Sequence, residues 1–171
     1  MLGGWDDVRR QQPTRLLLDC RPQLTATVLD LPGSAAIGRE IIAKAGMTDR
    51  VPHRDGDATT VELGAGFDCV LCFNLIHHLA KDDIVALFAR VHEALEIGGS
   101  FALMDAFAEP SYRKSAAANF LAMFVYLSSG AQVYTPAQLR GWLSEAGFPA
   151  PRRLSILRTP GQAIYVVRKT S

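Results

Sequence analysis

From Phe67 to Asp105 the apolar positions change period twice, and the changes predict three elements in succession. Asp68-Cys69-Val70-Leu71-Cys72-Phe73 is a short, nearly continuous apolar run, the pattern of a strand covered on both faces. Asp82 and Asp83 then put negative charge where a helix N-terminus favours it. Ile84, Leu87, Phe88, Val91 and Leu95 recur at i, i+3, i+4, i+7 and i+11, one helical stripe that Gly98-Gly99 is expected to stop. Phe101-Ala102-Leu103-Met104 predicts a second buried strand ending on Asp105. Strand, helix and strand at this spacing make a β-α-β unit, which implies parallel strands and a right-handed crossover. His77, His78 and Asp105 fall at the C-terminal ends of its strands, where open α/β sheets bind ligands.

Upstream, Leu24 to Leu29 predicts a strand, and Arg15 to Cys20 reads as a candidate for an earlier one. Only Arg21-Pro22-Gln23 separate them, whereas a parallel crossover needs about a dozen residues or more. The two cannot be consecutive parallel strands. A first β-α unit is therefore expected to be missing or degenerate, with residues 1–21 a divergent segment of a single, partial domain spanning 1–171. After the strand, Ser34 is the expected N-cap of a helix with Ile37, Ile41 and Ile42 inward and Gly46 as its stop. Val51 to Arg54 predicts a short strand leading into Gly56-Asp57-Ala58.

Downstream of Asp105, a helix is expected over 114–127, with Phe120, Met123, Phe124 and Leu127 as its stripe. Thr135-Pro136-Ala137-Gln138 is a helix start: a Thr cap, Pro in the first turn, and Gln three residues after the cap. Leu139, Trp142, Leu143 and Ala146 should face inward, with Gly147 terminating. Leu154 to Leu157 and Ala163 to Val167 read as strands joined at Pro160-Gly161, a connection short enough to permit only an antiparallel hairpin. The fold class is α/β, a mostly parallel sheet closed by a C-terminal antiparallel hairpin.

Composition narrows the partners. Eighteen basic residues balance 17 acidic ones, so no basic face points to nucleic acid. The longest apolar stretch, Ala116 to Leu127 broken by Asn119, is too short to span a bilayer. The first 15 residues hold no apolar core of the signal-peptide kind, and a cytoplasmic location is expected. Cys20, Cys69 and Cys72 make no disulfide framework. Cys69 and Cys72 have C-x-x-C spacing, but residues three apart on a strand face opposite sides. No metal is expected, because the histidine pair lacks a third ligand at fixed spacing. Glycine motifs of the Walker and dinucleotide kinds, and the G-x-S-x-G of serine hydrolases, do not occur.

NLIHHL, the acidic-then-apolar helix after it and the following ALEIGG and strand, in that order, resemble small-molecule O-methyltransferases that use S-adenosylmethionine. VLDLPG before them, TPAQLRGWLSEAGF and the closing RTPGQAIYVVRK extend the likeness over roughly Leu24 to Lys169. Plant caffeic acid O-methyltransferases and bacterial polyketide-tailoring enzymes belong to that family. The resemblance implies a Rossmann-like methyltransferase sheet, transfer of a methyl group to a hydroxyl, with a phenol as the expected acceptor, and an aromatic or polyketide-like small molecule as partner. It also implies a homodimer formed through an N-terminal helical domain that this sequence does not display.

By the same resemblance, His77 is the catalytic base, Asp105 the acid that orients it, and His78 a non-catalytic neighbour. Asp30, with Leu31, matches the residues at the cofactor ribose; Asp57 and Ala58 match those beside the adenine. Met123, Phe124 and Ser128 fall where the family lines its acceptor pocket. The chemistry agrees with the residue types: methylation needs a base within hydrogen-bond reach of the hydroxyl proton, and a carboxylate on the other ring nitrogen fixes the tautomer. Two positions depart from the pattern. Val133 stands where many relatives carry a second acidic residue, and Phe73 replaces a lysine of plant relatives, suggesting apolar contact with the adenine. The glycine-rich loop of the family is not recognisable, although Gly3-Gly4 is a possible remnant. Two other readings fit these residues: a truncated or degenerate chain that does not turn over, and a relative that binds the cofactor without transferring its methyl.

Overall fold

The structure is a computed structural model and describes residues 23–108, 132–155 and 162–171. The chain divides into two compact units, Met1–Glu62 and Leu63–Ser171.

In the first unit, β1 (Val28–Asp30) pairs in parallel with β2 (His53–Asp55), joined by helix α1 (Pro32–Lys44). The regular strand is shorter and later than the expected Leu24 to Leu29, although Ala26 N–H still reaches Arg50 O at 2.9 Å. Strand β2 lies slightly downstream of the expected Val51 to Arg54. Helix α1 begins at Pro32 rather than after Ser34, because proline at the first helical position has no N–H to satisfy and a φ already set for a helix. Its apolar stripe is also rotated from expectation: Ala35, Gly38 and Ile42 are buried, and Ile37 is exposed. Gly46 ends it at φ +67°, with Met47 N–H on Ile42 O and Gly46 N–H on Ala43 O, the paired bonds of a Schellman cap. Ile42 and Val51 form the small core, with Val28 and Met47 against it.

The second unit holds a four-stranded sheet in the order β3 (Phe67–Phe73), β4 (Leu95–Ala106), β6 (Gln162–Arg168), β5 (Arg152–Ser155). Strands β3 and β4 are parallel, joined by helix α2 (Lys81–Ala94), which is the expected β-α-β unit. Strand β6 runs antiparallel to both β4 and β5, so the hairpin closes the sheet as expected, with its turn outside the described residues. Strand β5 starts at Arg152, ahead of the expected Leu154. Helix α3 (Pro136–Glu145) opens on a complete capping box between Thr135 and Gln138 and buries Leu139, Trp142 and Leu143.

Two expectations for this unit are corrected. Strand β3 is not covered on both faces: Cys72 is buried, while Cys69 and Leu71 on the other face are exposed. Helices α2 and α3 account for this, since they pack on the face that carries Phe101 and Leu103 of β4, with Phe88 and Phe148 ring-to-ring against Phe101. Leu95 and Gly98-Gly99 also belong to β4, not to the end of the helix. Leu95 is already extended, at φ −78° and ψ 143°, so α2 stops at Ala94.

The glycines instead shape a bulge. Between the pairs Phe67↔Leu95 and Cys69↔Ser100 the register shifts, and residues 96–99 loop out opposite Asp68. Gly98 sits at φ +84° and donates to Lys169 O, while Lys169 N–H returns to Gly99 O, both at 2.9 Å. A Cβ at Gly99 would lie 2.8 Å from Glu96 O and 3.0 Å from Phe67 O, both backbone atoms that cannot step aside. Gly99→Ala is therefore expected to destabilise the fold by about 1–3 kcal/mol, the usual range for overpacking. The urea midpoint measures this, and an unchanged midpoint would mean that the bulge yields freely.

Candidate active site

The end of β3 and the end of β4 place the chemistry. Just past Phe73, Asn74 adopts φ +51°, a left-handed conformation that asparagine tolerates better than most residues. Its N–H donates to Met104 O at 2.8 Å, which pins the chain to β4 as it leaves the sheet. The next residues wind into a 3-10 turn, Ile76–His78, closed by His78 N–H on Leu75 O and Leu79 N–H on Ile76 O. Ile76 is buried and anchors the turn. The two histidines consequently part: the His77 side chain is 14% exposed and faces β4, whereas His78 is exposed, with its ring 4.0 Å from that of His77.

His77 Nδ1 stands 2.7 Å from Asp105 Oδ1. Along β4 and just past its end, Phe101, Leu103, Asp105 and Phe107 are the buried positions of an alternating pattern, so Asp105 occupies a place the strand register would give to an apolar residue. It is 1% exposed. Oδ1 also accepts from Ala106 N–H at 2.7 Å, while Oδ2 is buried without a hydrogen-bond partner. A half-satisfied carboxylate in a core position is costly, and such groups need a reason. A carboxylate only accepts hydrogen bonds, so Nδ1 of His77 is the donor in this contact, and in the neutral imidazole that tautomer leaves Nε2 with its lone pair. This arrangement can take a proton at Nε2 and hold the resulting imidazolium against Asp105.

Segment 132–134 supports the turn from outside. Gln132 N–H donates to His77 O at 2.8 Å, and the Tyr134 hydroxyl donates to Leu79 O at 2.5 Å. Tyr134 also forms a parallel bridge with Phe107, and Ala108 N–H reaches Tyr134 O. Sequence reasoning missed Tyr134. An apolar residue just before a capping box is a signature of burial, so its packing was legible. The partner of its hydroxyl, 55 residues away, was not.

The remaining expected site residues are placed as follows. Asp30 ends β1; its Oδ1 accepts from Leu31 N–H at 2.8 Å, and Leu31 itself is 55% exposed at the N-terminus of α1. Asp57 accepts from both Thr59 N–H and Thr59 Oγ1 through Oδ1, an Asx-type turn that engages this oxygen locally, and Ala58 follows it half-buried. Phe73 is half-buried at the end of β3, paired with Met104. Val133 is half-buried, and among the described residues Asp105 is the carboxylate that meets His77. Met123, Phe124 and Ser128, the expected helix over 114–127, Arg15 to Cys20 and Gly3-Gly4 lie outside the described residues. Cys69 is exposed and Cys72 buried, on opposite faces as expected. Burial first, and then the Asp105 carboxylate, push the Cys72 thiol up to about 12, so it stays protonated. Among the described residues no group of three His, Cys, Asp or Glu could hold a metal ion, and no helix is long and apolar enough to cross a membrane.

These residues suit S-adenosylmethionine unevenly. Asp30 fits its ribose, being a half-buried carboxylate at a parallel strand end with one oxygen left over from its backbone bond. Asp57 fits less directly, because its Oδ1 is already engaged in its own turn.

In this α/β protein an imidazole and a carboxylate meet at adjoining parallel strand ends, where open sheets bind ligands. The particular family follows from comparison: this chain belongs to the O-methyltransferase domain family, whose model matches residues 16–149. It is similar to the tetracenomycin polyketide synthesis 8-O-methyl transferase TcmO of Streptomyces glaucescens, 33% identical over 137 residues, which are 79% of this chain and 40% of the relative. It is also similar to the 3-hydroxy-5-methyl-1-naphthoate 3-O-methyltransferase of Streptomyces sahachiroi, 30% identical over 130 residues, 75% of this chain and 38% of that protein. Among solved structures, the S-adenosylmethionine-dependent methyltransferase SibL in its apo form shares the fold, with a TM-score of 0.83 at 24% identity over 99% of this chain and 53% of that one. The chain spans about two fifths of the length of the curated relatives it matches.

Proposed function

We propose that this chain carries the catalytic machinery for moving a methyl group from S-adenosylmethionine to a hydroxyl of a small aromatic, polyketide-like acceptor. The observation that carries the proposal is the His77–Asp105 contact of 2.7 Å, made by a carboxylate buried where the strand register calls for an apolar residue. His77 is the base. Its Nε2 takes the proton of the acceptor hydroxyl as the oxygen becomes a nucleophile, and Asp105 holds the ring by Nδ1–H and offsets the charge it gains. The cofactor, when bound, supplies a methyl group activated by a sulfonium. Asp30, with Leu31 beside it, holds the ribose; Asp57, Ala58 and Phe73 are assigned to the adenine, and Met123, Phe124 and Ser128 to the acceptor. The membership of an O-methyltransferase family and the two O-methylating relatives support this reading, as does a phenolic or naphtholic hydroxyl being acidic enough for an imidazole to deprotonate as it reacts.

The test is a radiolabelled methyl-transfer assay on the full chain with a panel of phenols and naphthols. Label is expected in product with at least one of them. Calorimetry with S-adenosylmethionine gives the companion result: Asp30→Ala should weaken binding about tenfold or more, the scale for losing a hydrogen bond to a charged group. Binding that is indifferent to Asp30→Ala would remove Asp30 from the cofactor site. Tight binding with no labelled product from any acceptor would favour a cofactor-binding protein that does not transfer methyl.

A further inference from the structure

Among the described residues, Tyr134 is a buried polar side chain beside the site that the mechanism leaves without a role. Tyr134 is 6% exposed, its ring meets Trp142 edge-on at 4.8 Å, and its hydroxyl donates to Leu79 O at 2.5 Å. Burial raises the phenol further above its ordinary pKa, so it remains a donor at working pH. Leu79 caps the 3-10 turn that carries His77 and is itself extended, so its carbonyl precedes helix α2 and lies outside the helical hydrogen-bond pattern. The same segment supplies Gln132 N–H to the carbonyl of His77 itself. Residues 132 and 134 thus hold carbonyls 77 and 79 at matching spacing, while the bridge to Phe107 fixes that segment against the strand end that bears Asp105.

We infer that Tyr134 is a positioning residue for His77, its hydroxyl locking the turn so that the imidazole stays in register with Asp105. The inference rests on the methyl-transfer reading for its kinetic arm, and on geometry alone for the rest. Rotation of the turn would move Nε2 while leaving the cofactor residues of the first unit untouched. The effect therefore belongs to kcat and not to the KM of the cofactor.

Tyr134→Phe removes the hydroxyl and keeps the ring. It is expected to lower kcat about tenfold, with KM for S-adenosylmethionine unchanged, since small displacements of a catalytic group cost one to two orders of magnitude. In a His77→Ala background the same substitution should change the residual rate by less than about twofold, because the group it positions is gone. A readout free of turnover is the His77 Nδ1 proton, assigned by its loss in His77→Ala: its exchange with solvent should quicken about tenfold in Tyr134→Phe, as expected of a hydrogen bond that opens more often. Trp142→Phe is the control. It loosens the packing under the ring, lowers the thermal midpoint and leaves both kcat and that exchange in place.

Unchanged exchange of the Nδ1 proton in Tyr134→Phe, or an equal loss of rate in both backgrounds, would overturn the inference and leave Tyr134 a packing residue. If Tyr134→Phe folds too weakly to assay, the same exchange measurement on Trp142→Phe decides. Quickened exchange there would mean that general loosening, not the hydroxyl, governs the turn. If the parent transfers no methyl, the proposed function fails while the proton measurement still judges Tyr134.

Discussion

Replacing His77 with alanine is expected to lower methyl transfer by about 10²–10⁴-fold, the contribution of a positioned general base, while His78→Ala leaves the rate within about threefold of the parent. The two rings lie 4.0 Å apart, so the contrast depends on orientation and not on distance. The 3-10 turn points His77 at Asp105 and leaves its neighbour exposed. The His77 side chain is mostly buried and, among the described residues, its side-chain hydrogen bond is to Asp105, so truncation to alanine costs some stability by leaving that carboxylate with Ala106 N–H alone. Folding should survive, which far-ultraviolet circular dichroism checks. A radiolabelled assay with saturating cofactor measures the rates. Equal rates for His77→Ala and the parent would take His77 out of the chemistry. Equal losses for the two histidines would mean that the turn, rather than one imidazole, is what matters.

The β-α-β unit was legible because its signals are local. The helical period from Ile84 to Val91 and the apolar run from Phe101 to Met104 each follow from burial, and burial is written residue by residue. Placement of His77 and Asp105 at adjoining strand ends followed from the parallel crossover alone, and the 2.7 Å contact agrees with it. The capping box at Thr135 was legible for the same reason: its partners lie three residues apart.

Features that depend on distant backbone were not legible. Gly98-Gly99 has the composition of a helix stop, yet it serves a bulge whose partners are Phe67 and Lys169, both remote in sequence. Ile37 has helical spacing with Ile41, but its exposure is decided by which side of α1 meets β1 and β2, and one short stripe does not encode that. The apolar run of β3 suggested cover on both faces; helices α2 and α3 lie on the side of Val70 and Cys72, and Leu71 is exposed. The Tyr134 hydroxyl belongs to this group as well, because a hydrogen bond to Leu79 has no sequence signature.

Asp105→Asn separates what the fold needs from what the chemistry needs. In the parent, Oδ1 accepts from both His77 Nδ1–H and Ala106 N–H, while Oδ2 is buried and unpartnered. Asparagine has nearly the same shape, retains an oxygen for the Oδ1 bonds and removes a charge from a core position. Stability should consequently stay within about 1 kcal/mol of the parent or rise, because neutralising a poorly compensated buried charge offsets the orphaned amide donor that replaces Oδ2. The chemistry has no such compensation. An amide can turn its NH₂ toward Nδ1 and so favour the tautomer with the proton on Nε2, which cannot act as a base. Even in the correct tautomer, it does not offset the charge His77 gains on taking a proton. The rate should fall about 10²–10⁴-fold, close to that of His77→Ala, and the double variant should be no worse than either single one. Thermal melting and the radiolabelled assay, run on the same preparations, decide the matter. An asparagine variant with more than about a third of the parent rate would mean that Asp105 is retained for structure. One that is much less stable than the parent would mean that its charge, and not merely its shape, holds the end of β4 in place.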